Sequence, residues 1–91
     1  MNRIEKDIIV VNKKGMHARP AAIFVGLVDK FDVNVTVNNG KETVNGKSIM
    51  GILMLGAVGG TVLKITVEGQ QAEQAMVEFE SFFKKQEEEL I

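Results

Sequence analysis

Val33-Asn34-Val35-Thr36-Val37-Asn38-Asn39-Gly40-Lys41-Glu42-Thr43-Val44-Asn45 is the stretch on which the fold turns. Val33, Val35 and Val37 alternate with Asn34, Thr36 and Asn38, the period of a strand with one buried and one wet face. Asn39-Gly40 follows, a dipeptide suited to a tight reversal because both residues tolerate positive φ. The returning segment, Lys41 to Asn45, carries Lys41, Glu42 and Thr43, a polarity that suits a sheet edge. Strands joined this way run antiparallel, and an antiparallel sheet can keep one face in water.

Working outward, Ile4 to Val11 reads as a strand, with Ile4, Ile8 and Val10 of one parity and Ile9 and Val11 of the other. Asn12-Lys13-Lys14-Gly15 is a polar turn. Pro20, Phe24, Leu27, Val28 and Phe31 then recur at helical spacing. Pro20 fits a first turn, where its missing N–H breaks no bond, so this helix starts near His17. Beyond the hairpin, Ser48 to Leu55 reads as a short apolar helix with Ser48 as N-cap, and Gly59-Gly60 as a turn. Val62 to Glu68 alternates as a strand. Ala72, Ala75, Met76, Phe79, Phe82 and Phe83 form a last helical stripe, which reads as core, and Gln86 to Ile91 is expected to fray. Strand, helix, strand, strand, helix, strand, helix predicts an α+β fold, a single antiparallel or mixed sheet with helices on one side.

Composition narrows the function. Ninety-one residues suit one domain, 1–91, able to build one modest core. Cys is absent and His17 is the sole histidine, which excludes disulfides, thiolate metal sites and multi-histidine metal sites. Eleven Lys and Arg against twelve Asp and Glu, with no Trp or Tyr, argue against a nucleic-acid surface. The longest apolar run, Ile49 to Val58, is broken by Gly51 and Gly56 and is too short to span a bilayer. No secretory signal precedes the first strand, so a cytoplasmic protein without membrane insertion is expected.

Two loops carry candidate chemistry. Gly15-Met16-His17-Ala18-Arg19-Pro20-Ala21 opens a helix, where unpaired N–H groups and a partial positive charge favour an anion. A neutral imidazole is a nucleophile, and a guanidinium two residues on offers a planar fork for phosphate oxygens. The combination suits a phosphoryl group carried on His17 and held by Arg19. Spacing alone leaves open that His17 is a plain N-cap and Arg19 a solvated charge. The second loop is Asn45-Gly46-Lys47-Ser48-Ile49-Met50-Gly51. Its Gly46-Lys47-Ser48 fails as a nucleotide P-loop, because Lys41 stands where the first glycine is needed. Ser48 caps its helix and, at that N-terminus, is also well placed to carry a phosphate. Ile49, Met50, Leu53 and Met54 cover more than one helix face, so part of that set is either core filling or a docking surface.

Together, these two motifs and the element order resemble the HPr family, the histidine-containing phosphocarriers of the bacterial phosphoenolpyruvate-dependent sugar phosphotransferase system. The likeness covers essentially the whole chain. It implies an open-faced β-sandwich with four antiparallel strands in the order 1-4-2-3 and three helices on one face. It implies that His17 accepts a phosphoryl group on Nδ1 from Enzyme I and passes it to an Enzyme IIA domain. Arg19 would stabilise the carried phosphate. The protein would be a stoichiometric carrier rather than an enzyme, without cofactor or metal, and a monomer. Ser48 matches the regulatory serine modified by HPr kinase/phosphorylase in part of the family. In Gram-positive relatives that phosphorylated form also binds a catabolite-control transcription factor. The docking surface implied comprises Met16, Ala18, Ala22, Ile49, Met50, Leu53 and Gly56. Gly26 and Asp29 depart from the lysines of some relatives, and Leu53 from a methionine, so the rim is less basic. That departure keeps an alternative open, a regulatory carrier of a nitrogen-type or incomplete phosphotransfer chain acting by protein binding.

Overall fold

The computed structural model describes residues 2–11 and 14–88, with side chains through 85. The elements follow in the expected order: β1 (Arg3–Ile9), α1 (Ala18–Val28), β2 (Asn34–Asn38), β3 (Thr43–Asn45), α2 (Ile49–Met54), β4 (Val62–Glu68) and α3 (Ala72–Glu88). The sheet order is β1-β4-β2-β3, every neighbouring pair antiparallel. The open-faced sandwich expected from the resemblance is therefore the fold.

Register explains which face the helices cover. Ile4, Lys6 and Ile8 of β1 lie opposite Val67, Ile65 and Leu63 of β4. Val35 and Val37 of β2 lie opposite Val67 and Ile65 from the other side. These β2 and β4 side chains are buried, and the stripes of α1 and α3 close over them. The aromatic centre is Phe24 of α1, whose ring lies 5.3 to 5.8 Å from those of Phe79, Phe82 and Phe83 of α3. Tilted and edge-on rings at such distances add about 0.5–1.5 kcal/mol per pair beyond simple burial. At the rim, the Lys6 ammonium donates to Glu80 Oε1 at 2.9 Å and ties β1 to α3. The opposite face carries Arg3, Glu5, Asp7, Asn34, Thr36, Asn38, Lys64 and Glu68 and is polar except at one end, where Ile9 and Val62 face each other exposed. Thr66, buried there, is satisfied by donating to Glu5 Oε2 at 3.0 Å.

The structure redraws several boundaries. Ladder pairing of β1 stops at Ile9, yet Val10 stays bonded through its N–H to Thr61 O and its carbonyl to Gly60 N–H. Helix α1 ends at Val28, so Phe31 packs from the loop beyond rather than from the helix. The hairpin is not a two-residue turn: four residues, Asn39 to Glu42, separate β2 from β3. Gly40 takes positive φ (98°), but Asn39 does not. Instead the Asn39 side-chain oxygen accepts from the N–H groups of Lys41 and Glu42, and its amide donates to Leu55 O at 3.0 Å. Those bonds consume Lys41 and Glu42 in the loop and shorten the returning strand to three residues. Helix α3 runs on to Glu88, past the expected frayed start; Glu89 to Ile91 lie outside the described residues, as do Asn12 and Lys13 of the polar turn.

Candidate functional site

Gly15 fixes the first motif in place. It adopts φ of 69°, and a Cβ there would collide with the Ala57 carbonyl oxygen. The next residue seals the contact, Met16 N–H donating to Ala57 O at 2.9 Å. The loop before α1 is thus pressed against the segment that follows α2. Met16 is only 6% exposed and packs into the core beneath the loop, so the implied docking role has little side chain to offer there.

His17 is the N-cap of α1, with extended backbone (φ −81°, ψ −174°) and no capping bond from its ring. Its carbonyl accepts the first helical bond, from Ala21 N–H at 3.0 Å. The N–H groups of Ala18 and Arg19 have no intrahelical acceptor, and Pro20 has no N–H to satisfy. The first turn contains no acidic residue. Both His17 and Arg19 are exposed, and neither side chain is engaged by an ion pair or hydrogen bond among the described residues. The helix therefore presents, in one turn, an unengaged imidazole, two open backbone donors, a guanidinium and the positive end of its dipole. That arrangement can accept an anionic group on the ring and neutralise it without rearranging the backbone.

Ser48 is the N-cap of α2, and its Oγ accepts from Gly51 N–H at 2.9 Å, the role the sequence predicts. The bond leaves the hydroxyl proton uncommitted. Ser48 N–H donates to Asn45 O and Gly46 N–H to Val35 O at 2.7 Å, anchoring this loop to β2. No hydrogen bond joins His17, Arg19 and Ser48 to one another among the described residues. They are related through the packing of α1 on α2.

Around these two helix starts lies an apolar surface. Ile49 is 42% exposed, Met50 67% and Met54 69%, and Leu53 is half-buried while Ile52 fills the core. Ala18, Ala22 and Gly56 are also exposed. The structure adds Ile23, 50% exposed on α1, and Val58. Ile23 was legible as a position off the α1 stripe. Val58 lies in a loop without periodicity and gave no signal. Among the described residues no three acidic or histidine side chains gather to hold a metal ion. No helix among the described residues is long and apolar enough to cross a membrane.

Comparison with known proteins agrees with this geometry. Residues 4–85 match the family model described as the PTS HPr component phosphorylation site. The phosphocarrier protein HPr of Xylella fastidiosa (strain 9a5c) is 39% identical over 80 residues, covering 88% of this chain and 90% of that protein. The crystal structure of an HPr from Bacillus anthracis superposes with a TM-score of 0.83 at 38% identity, covering 88% of this chain and 95% of that one. A structure described as an HPr dimer from Thermoanaerobacter tengcongensis is 45% identical, with a TM-score of 0.64 and coverage of 84% and 92%.

Proposed function

The chain belongs to the HPr family of phosphocarriers of the phosphotransferase system, and on that premise we propose that His17 is the residue that carries the phosphoryl group. The observation that carries the reading is the unengaged His17 ring at the open N-terminus of α1, with Arg19 in the same turn. The Nδ1 lone pair attacks the phosphorus held on a histidine of Enzyme I. The new P–N bond forms as the old one breaks, and the leaving imidazole keeps the electron pair. Arg19 and the N–H groups of Ala18 and Arg19 offset the charge of the carried phosphate. A histidine of an Enzyme IIA domain then takes the group by the same exchange. Both partners dock on Ala18, Ala22, Ile23, Ile49, Met50, Leu53 and Met54, with Gly56 at the border. The protein works in the cytoplasm as a monomer. Gel filtration checks the latter.

Ser48 is the regulatory acceptor, modified by an HPr kinase/phosphorylase. Its phosphate would sit on the α2 dipole, beside the docking surface, and would oppose an anionic donor. In this reading a catabolite-control transcription factor is a partner of the serine-phosphorylated form.

The test is phosphotransfer from phosphoenolpyruvate through Enzyme I with magnesium, followed by intact mass. One acid-labile phosphate is expected, absent from His17→Ala. A phosphate retained by that variant would defeat the assignment. The exposed Gly26 on α1 and Asp29 at its C-cap favour a second reading, a purely regulatory chain. It predicts transfer to a regulatory Enzyme IIA and little to a sugar-specific one.

A further inference from the structure

The phosphocarrier reading uses the methionines of α2 only as apolar surface, yet their sulfur has chemistry of its own. The chain holds no cysteine, tryptophan or tyrosine, so its thioethers are its most readily oxidised groups. The fold divides the four described methionines into two classes. Met16 and Met76 lie in the core, 6% and 2% exposed. Met50 and Met54, at 67% and 69%, are the two most exposed large apolar side chains among the described residues. They stand four positions apart on α2 and so share one face. Neither joins the core cluster; Ile52, Leu53 and Leu55 hold the helix down. The other large apolar residues exposed around them, Ile23, Ile49 and Val58, are plain hydrocarbon and inert to peroxide.

We propose that Met50 and Met54 form a reversible oxidation site for hydrogen peroxide, through which partner docking is weakened while the fold and His17 are spared. This rests on the reading that partners dock on α2. A sulfur lone pair attacks one oxygen of the peroxide. The S–O bond forms as the O–O bond breaks, and the departing hydroxide takes the proton of the new S–OH group and leaves as water. Sulfur loses two electrons and the peroxide gains them. One peroxide enters, one water leaves, and a sulfoxide remains.

The product is polar where the thioether was apolar. Docking then takes the sulfoxide oxygen out of water against the apolar surface that complements this one, and an acceptor buried without a donor is costly. The core loses no contact, because neither side chain enters it. Methionine sulfoxide reductases, one for each sulfoxide epimer, restore the thioether, and both side chains are open to them.

The experiment treats the folded protein with dilute hydrogen peroxide and maps peptides by mass, beside a sample in urea. Conversion of Met50 and Met54 at least about tenfold faster than of Met16 and Met76 is expected when folded, because buried groups react only through opening. The four rates should converge in urea. Similar rates in the folded protein, or Met16 first, would overturn the site. Binding to Enzyme I is then read by calorimetry, each protein against its own untreated sample. The oxidised parent should bind at least about tenfold more weakly, with its melting temperature unchanged and its binding restored by the two reductases. The double variant Met50→Leu/Met54→Leu should lose nothing on treatment. An oxidised parent that binds normally, a loss the leucine variant shares, or a loss the reductases leave in place would overturn the proposal. Ile49→Glu, made without peroxide, separates the two readings. If it binds like the parent, the docking surface is wrong and the proposal falls with it. If it binds weakly while the oxidised parent binds normally, docking stands and the oxidation site alone fails.

Discussion

Replacing Gly15 by alanine separates two costs that usually arrive together. At φ of 69° a side chain costs about 1–2 kcal/mol in left-handed backbone. Alanine recovers about 0.4–1 kcal/mol by restricting the unfolded chain. Gly56, at φ of 59° with nothing within 4 Å of its built Cβ, carries those two terms alone. Gly56→Ala should therefore destabilise by about 1 kcal/mol. At Gly15 the added carbon meets a backbone carbonyl, which cannot rotate away as a side chain would. The loop must lift, and the Met16–Ala57 bond, worth about 0.5–1.5 kcal/mol, is lost. Overpacking strain adds about 1–3 kcal/mol, so Gly15→Ala should cost about 3–4 kcal/mol in all. Urea unfolding of both variants and the parent, fitted with one shared slope, measures the difference. Equal losses would refute the reasoning, because they would show that the contact beneath the His17 loop bears no load.

Four further outcomes are expected. Ser48→Ala should lower stability by about 1 kcal/mol through loss of the bond to Gly51 N–H, read by thermal melting. Ile49→Glu should weaken binding to Enzyme I, read by calorimetry, while its melting temperature stays near the parent's, because Ile49 already faces water. Phe24→Ala should cost about 3–5 kcal/mol, a large share of what a domain this size possesses, and shows as a collapsed urea midpoint. Gly26→Ala should raise stability by about 1 kcal/mol, since the site is helical, exposed and open around the built Cβ; a fall in melting temperature would contradict this.

What was legible in the sequence was periodic or local. Val35 and Val37 alternate into the core, the Phe24 and Phe79 stripes meet, and Ser48 caps α2 as its position before an apolar run implies. What was not legible depends on distant partners. Asn39-Gly40 has the chemistry of a two-residue turn, but Asn39 reaches Leu55, sixteen positions on, and the loop widens to meet it. Gly15 looks like an ordinary turn residue until Ala57 is placed above it. Met16 sits inside the signature beside His17 and is buried by the same contact. At the site, sequence supplied the residue types; the unengaged ring and the two open N–H groups needed the helix boundary, which pattern reading places only to within a few residues.

The sheet order has a bearing on how the molecule is made. β4, residues 62–68, sits between β1 and β2, so β1 waits for its one neighbour and β2 for its second. During synthesis, β1 has no neighbour to pair with until the last third of the chain has left the ribosome. Only the β2–β3 hairpin and the helices have local contacts to form earlier. Sheet closure is thus a late event joining remote parts of the chain, the kind of topology that folds slowly for its size. In the interval the valines of β2 and the phenylalanine of α1 wait uncovered, and the charged residues of β1, Arg3, Glu5, Lys6 and Asp7, keep that unpaired edge from recruiting another strand.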